Sequence, residues 1–182
     1  QDQIVTTNSV DFVPTGLTIS FLAKFADAMR NGYFSIGSND LYAYVLQDNT
    51  LVVYTGGATP YSGFADIKTE FGLANGDWFH CVLRFSRTSG VELFINGEAH
   101  QDNGDDAWEP YNFGGTLKIG QVGSDDNLDQ GGMCHFRADM VAWTDAQIQD
   151  HYDTYFAHKG IGIIERPKLH PCRHQLLVLI AS

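Results

Sequence analysis

Asp125, Asn127 and Asp129 stand at alternate positions in Gly123-Ser-Asp-Asp-Asn-Leu-Asp-Gln-Gly-Gly132. Alternate oxygen ligands in a glycine-flanked stretch suit calcium, a hard cation that takes about six to eight oxygens. The stretch is not an EF-hand, because Gln130 stands where that loop needs Gly and Phe136 where it needs Glu. Gln101-Asp-Asn-Gly-Asp-Asp106 and the pair Asn39–Asp40 are further candidates for the same ion. The alternative for all three is a solvated turn rich in Asp and Gly. Sugar binding calls for an aromatic platform beside amide and carboxylate groups. Trp108, Tyr111 and Asn112 lie next to the second acidic run, and Tyr54, Tyr61 and Phe64 lie in another segment. Trp108, Tyr111, Asn112, Tyr54 and Tyr61 are therefore the candidate carbohydrate contacts, unless they fold back over the edge of the core. Tyr42 and Tyr44 share one face of a strand and either line a groove or pack there. His170, Cys172 and His174 alternate around Pro171 and offer three metal ligands; the alternative is a tail with no ligand.

The chain that must position these groups has 182 residues, 43% of them hydrophobic, enough for one domain with a real core. Charged residues are 18%, aromatics 13%, with 19 glycines and 5 prolines. That balance excludes coiled coil, collagen and disordered chain, and favours many short strands and turns. The formal charge of −11 repels phosphate backbones, so nucleic acid is excluded as a general partner. The longest apolar run, Leu176–Ala181, is too short for a membrane span. The chain begins at Gln1, as expected of a removed leader or an excised piece, and no attached signal peptide is visible. Cys81, Cys134 and Cys172 make an odd set: either Cys81 and Cys134 pair, or all three are thiols.

Alternation and turn residues place the strands. Gly16–Phe25 alternates with Leu17, Ile19 and Phe21 on one face. Tyr33–Gly37 follows, and then Leu41–Leu46 and Leu51–Tyr54 form a hairpin about Asp48–Asn49. Trp78–Phe85 is the strongest strand; Val91–Ile95 leads into Asn96-Gly97, the best hairpin signal in the chain. Thr116–Gly120 and Cys134–Trp143 complete the set, and Trp78 and Trp143 are assigned to the core. One helix is expected over Thr144–Asp153, with a Thr144/Gln147 capping box and a stripe of Ile148, Tyr152 and Tyr155. Strands at this spacing with one late helix predict an all-β, antiparallel two-sheet sandwich.

Three pieces of this pattern resemble a known family. They are Leu17–Phe25 with Tyr33-Phe-Ser-Ile-Gly37; Gly76-Asp-Trp78-Phe-His80-Cys81 with Val91–Gly97; and Leu117-Lys-Ile-Gly120 with Phe136–Trp143 and Asp145–Gln149. Over residues 10–155 their order and spacing resemble the concanavalin A-like lectin and glucanase jelly roll, nearest its laminin G-like and pentraxin-like branches. The resemblance implies a jelly-roll domain over 1–157. Two departures stand out. Phe136 is followed by Arg137 and Ala138 rather than the family's Phe-x-Gly, and residues 17–25 hold no cysteine for the pentraxin disulfide. The glucanase strand Glu-x-Asp-x-x-Glu is absent, as are an alginate-lyase signature and a Gly-x-Ser-x-Gly elbow. The expectation is a protein that is not an enzyme.

Residues 158–182 form a basic and apolar tail, with Lys159, Arg166, Lys168 and Arg173 against Glu165 alone. Leu176–Ala181 would aggregate if exposed, so it is expected to be an extra edge strand or a strand exchanged between subunits. The sequence thus supports two readings. One is an extracellular or cell-surface lectin-like domain that binds a glycan or polysaccharide, with or without calcium. The other is a self-assembling structural subunit of an extracellular filament or surface layer that uses the tail for its contacts.

Overall fold

The computed structural model describes residues 4–5, 10–12, 16–26, 31–37, 41–55, 61–101, 113–122, 126–127 and 132–156. The chain forms β1 (Ile4–Val5), β2 (Val10–Phe12), β3 (Gly16–Lys24), β4 (Asn31–Ile36), β5 (Leu41–Val45), β6 (Leu51–Tyr54) and β7 (Tyr61–Phe64). A one-turn helix α1 (Ile67–Glu70) precedes β8 (Trp78–Ser86), β9 (Gly90–Ile95) and β10 (Glu98–Ala99). Then come β11 (Phe113–Gly115), β12 (Leu117–Ile119), β13 (Gln121–Val122), β14 (Asp126–Asn127), β15 (Met133–Asp139) and α2 (Asp145–Tyr155). One sheet has six strands in the order β1-β12-β4-β5-β6-β7, the other five in the order β10-β9-β8-β3-β15. Two small ribbons, β11-β2 and β13-β14, complete the fold. Every pairing is antiparallel. The two-sheet sandwich expected from the alternation is the one observed. The sequence did not mark α1, whose four residues are too few for a helical period.

The core is the interdigitation of the two inner faces. Leu17, Ile19 and Phe21 of β3 and Phe79, Cys81, Leu83 and Phe85 of β8 are all fully buried. Leu41, Ala43, Leu51 and Val53 oppose them from β5 and β6. A bulge between Gly32 and Phe34 turns two consecutive aromatics inward. Tyr33 and Phe34 both touch Phe21, at ring distances of 5.1 and 6.1 Å. Phe136 reaches Phe34, 5.5 Å away, from the irregular stretch of β15 between Cys134 and Arg137. The β9–β10 hairpin turns through Asn96 and Gly97 at φ 53° and 86°, the double left-handed geometry that Asn-Gly supplies.

The structure decides between the two alternatives for the cysteines and divides the two tryptophans. Cys81 is a buried free thiol, so it does not bridge to Cys134. The register explains why. Cys81 pairs with Phe21 on one side of β3 and Cys134 with Leu22 on the other. The two cysteines are thus on strands two spacings apart, about 9.6 Å at 4.8 Å each, beyond disulfide reach. They also lie at positions of opposite parity along β3. Of the two tryptophans assigned to the core, Trp143 is buried in it and Trp78 is not. Trp78 is half-buried at the start of β8, against Gly132, where a Cβ would come within 2.6 Å of the indole. Trp143 lies beyond the end of β15 and is buried in a second, smaller cluster with Val82, Phe94 and Ile148. The tail over 158–182, with Cys172, lies outside the described residues.

Phe34→Ala removes a ring from the centre of the main core and is expected to cost about 3–5 kcal/mol in denaturant unfolding. Thr144→Ala removes only the observed cap of α2 and is expected to cost about 1 kcal/mol. Equal effects of the two would contradict this division between core and periphery.

Candidate functional site

A sandwich has two outer faces on which a ligand can rest, and here they differ. On the five-stranded sheet the outward residues include Thr18, Ser20 and Leu22 of β3, His80, Val82 and Arg84 of β8, and Glu92 and Phe94 of β9. Of these, Thr18, Ser20, His80, Val82 and Phe94 are buried. The α2 helix covers them. Arg84 holds Glu92 with two 2.7 Å hydrogen bonds and donates to the carbonyl of Trp143 at 2.9 Å and to Asp145 at 2.6 Å. Thr18 Oγ1 donates to the Val141 carbonyl and accepts from the Trp143 N–H. The helix forms where its sequence directs. Thr144 accepts from the Gln147 N–H while the Gln147 side chain accepts from the Thr144 N–H, and Ile148 is fully buried.

Under this helix lies a cluster that resembles catalytic apparatus in its residue types. His80 Nε2 is 3.0 Å from Ser20 Oγ and 3.2 Å from His151 Nδ1. Phe156 stacks on His80 at 4.4 Å. Ser20 and His80 are fully buried, so no substrate reaches them. His80 Nδ1 has no partner among the described residues. Burial, with His151 adding to it, pushes the pKa of His80 down to about 3. Burial, with Arg137 adding to it, pushes His151 down to about 4, Asp139 and Asp150 opposing. The cluster is a neutral, structural seam.

The six-stranded sheet carries different chemistry on its outer face. Along β5 burial alternates, with Leu41, Ala43 and Val45 inside and Tyr42 and Tyr44 outward and half-buried. Tyr42 pairs across the sheet with Tyr54, which is also half-buried. The Tyr42 and Tyr54 rings stack 4.8 Å apart at 7° between planes, and Tyr44 stacks on Tyr42 at 5.8 Å and 30°. Val52, opposite Tyr44, lies fully buried beneath them. The backbone register puts Tyr61 directly opposite Tyr54. Tyr54 and Tyr61, both candidate sugar contacts, are thus neighbours in one cross-strand row with Tyr42. The sequence supplied the signal for Tyr42, since a hairpin folded about Asp48 sets residue 42 against residue 54. Of the two alternatives for Tyr42 and Tyr44, lining a groove or packing on the strand, the rings take up the second by stacking on Tyr54.

The remaining candidates fall in two groups. Trp108, Tyr111 and Asn112 lie outside the described residues, as do Asp125 and Asp129, Asn39 and Asp40, the acidic run after Gln101, and His170, Cys172 and His174. Asn127 is in β14, paired with Gln121 in the β13–β14 ribbon, so part of the expected loop is strand. Among the described residues no group of three or more His, Cys, Asp or Glu is arranged to hold a metal ion. The segment that leads to Trp108 is anchored at its start. Gln101 N–H donates to Glu70 Oε1 at 2.8 Å, and His100 Nε2 lies 3.1 Å from the other Glu70 oxygen.

A family model, Laminin G 3, described as concanavalin A-like lectin/glucanases superfamily, matches residues 1–149. No curated protein sequence matches the chain. Among solved structures the chain is similar to the ligand-binding domain of botulinum neurotoxin serotype D in complex with N-acetylneuraminic acid. That match has TM-score 0.63 and 16% identity over 85% of this chain and 40% of that one. It is similar to the receptor-binding domain of botulinum neurotoxin D, with TM-score 0.64 and 16% identity over 84% and 41%. A third is the binding domain of botulinum neurotoxin DC in complex with rat synaptotagmin II, with TM-score 0.58 and 10% identity over 84% and 42%. The chain spans about two fifths of the length of these domains. At such identities the likeness extends to the fold.

The seam under α2 predicts how stability depends on pH. His80 is held below the ordinary histidine value of about 6.5, so the folded state takes up its proton only near pH 3. Its contribution is present above about pH 6.5 and is lost as pH falls from there toward 3. Denaturant unfolding at a series of pH values is expected to show stability falling below about pH 6.5. The slope should be shallower in His80→Phe. A variant with the wild-type slope would contradict the burial of a neutral His80.

Proposed function

The chain belongs to this laminin G-like family of the concanavalin A-like lectin/glucanases superfamily, and from that membership we propose that it is a non-enzymatic, lectin-like domain that binds carbohydrate outside the cell or at its surface. One observation carries the placement of the site: α2 seals the outer face of the five-stranded sheet, while the six-stranded sheet carries the Tyr42–Tyr44–Tyr54 stack on its own outer face. Stacked phenols give a sugar apolar ring surface and hydroxyl groups that both donate and accept. Trp108, Tyr111 and Asn112 extend the proposed contacts. The similar structures are binding domains by name, one of them with a sugar ligand, and they support the same class. The glucanase carboxylate pattern is absent from the sequence, and Ser20 and His80 are fully buried, with only His151 of their cluster half-buried. Both support binding rather than turnover.

A glycan array probed with the full chain and with Tyr42→Ala/Tyr54→Ala tests this reading. Binding by the wild type and its loss in the variant are expected. The cross-strand pair itself contributes about 0.2–1 kcal/mol, so Tyr42→Phe/Tyr54→Phe, which keeps the stack, serves as the control for folding. An array with no bound glycan would overturn the lectin assignment.

Calcium at Asp125, Asn127 and Asp129 is a further part of the proposal, supported by the spacing of those residues alone. At about a hundredfold excess over its dissociation constant a bound ion adds about 2.7 kcal/mol. For a chain of this size that is about 5–10 °C in melting temperature. Equal melting in calcium and in EDTA would remove calcium from the account.

A further inference from the structure

We propose that the facing imidazoles of His80 and His151 form an acid-operated latch. The α2 helix is docked on the five-stranded sheet while both rings are neutral, and it is released, ahead of unfolding of the sandwich, when they take up protons. The device is independent of the carbohydrate reading.

The latch lies where two elements meet. His80 is presented by β8 and His151 by α2, with Nε2 of the first 3.2 Å from Nδ1 of the second. Ser20 Oγ of β3 is 3.0 Å from the same Nε2. Phe156 stacks on His80 at 4.4 Å, and the Trp143 ring lies 4.9 Å from His151. An imidazolium carries an N–H on both ring nitrogens, whichever tautomer precedes it. On His80 that puts a proton on Nδ1, which is buried and has no acceptor among the described residues. The two facing nitrogens hold one proton between them as a hydrogen bond. With both rings charged, two N–H groups would point at each other across that gap.

The surrounding charges do not relieve this. From β3, Ser20 offers a hydroxyl and no charge. From β8, Arg84 is committed to Glu92 and Asp145. From β15, Arg137 and His135 disfavour a cation at His151, while Asp139 favours it but already binds Arg137 and the Trp143 indole. On α2 itself Asp150 favours the cation from an exposed position. Asp153 of α2 and Glu98 of β10 act on the neighbouring Tyr152. Burial outweighs them all and holds both histidines neutral well into acid.

Release returns both rings to water and to ordinary values near 6.5. Docking is therefore at full strength above about pH 6.5 and weakens as pH falls toward about 4 for His151 and about 3 for His80. The loss is up to about tenfold per pH unit for each histidine. The main core holds no histidine among its described residues, so acid acts first on the seam. What else holds α2 is small: the cluster of Val82, Phe94, Trp143 and Ile148, and the bond from Arg84 to Asp145, whose side chain is 81% exposed. An 11-residue helix cut loose is marginal in water, so release also melts it.

Hydrogen exchange of the full chain, read by mass spectrometry as protection factors at about pH 7 and about pH 5, tests the latch. Protection of α2 is expected to fall by about tenfold or more, while β3 and β8 stay protected. His80→Phe and His151→Gln should each make the fall shallower. The second variant changes a half-buried helix position and covers the case in which the first fails to fold. Unchanged protection of α2 would overturn the inference. So would an equal loss in β3 and β8 at the same pH, which marks acid unfolding of the whole domain. A fall as steep as the wild type's in His151→Gln would overturn it too, because acid would then act through other groups.

Discussion

The outer face of the five-stranded sheet is lined with polar groups that cannot be left bare: the Thr18 hydroxyl, the Ser20–His80 pair and the Arg84 guanidinium. The α2 helix and the segment leading into it satisfy them. Arg84 joins Glu92 of the sheet to Trp143 and Asp145 at the helix start, and its side chain is 13% exposed. Removing Glu92 would leave a largely desolvated guanidinium, which costs far more than breaking the pair with Asp145, itself 81% exposed. The second small core of Val82, Phe94, Trp143 and Ile148 closes around it. The properties of both sheets depend on that docking. It buries both faces of β3 and β8, it depresses the pKa values of His80 and His151, and it leaves the six-stranded sheet as the face on which a stacked aromatic row is partly exposed.

Strands differ in the same way within the six-stranded sheet, where β4 is buried throughout and the β13–β14 ribbon lies against it. A strand buried on both faces reads as a nearly continuous run of buried residues, as β3 does over Gly16–Ala23. A strand with one solvated face alternates, as β5 does. Tyrosine is suited to the latter position because its ring packs on the sheet while its hydroxyl stays wet. The same residue type at Tyr33 behaves differently. Drawn inward by the bulge at Gly32–Phe34, its phenol is fully buried and its pKa is pushed far up by burial.

Much of the fold was legible because its signals are local. The alternation of Leu17, Ile19 and Phe21, the Asn96-Gly97 turn and the Thr144/Gln147 capping box each act within a few residues, and each is present as expected. The features that were not legible depend on contacts distant in sequence. Cys81 and Cys134 were eligible partners by type and are separated by the strand between them. Trp143 reads as core by its apolar neighbours, yet it sits on the far side of the sheet, 2.7 Å from Asp139 through its indole nitrogen. For the site, residue type identified Tyr54 and Tyr61, while the pairing register identified Tyr42 as the partner that makes a stack. His80 shows the converse. Its place beside Trp78 and Cys81 marked a strand, and only the docked helix gives it a role.

The sandwich has one outer face sealed by α2 and another on which the tyrosine stack is half-buried. Hydroxyl-radical footprinting of the full chain, read residue by residue by mass spectrometry, tests this without a ligand. Tyr42, Tyr44 and Tyr54 are predicted to react readily while Tyr33, His80 and Trp143 are protected. Protection of the three tyrosines together with reaction at His80 and Trp143 would contradict the account and move the ligand face to the opposite sheet.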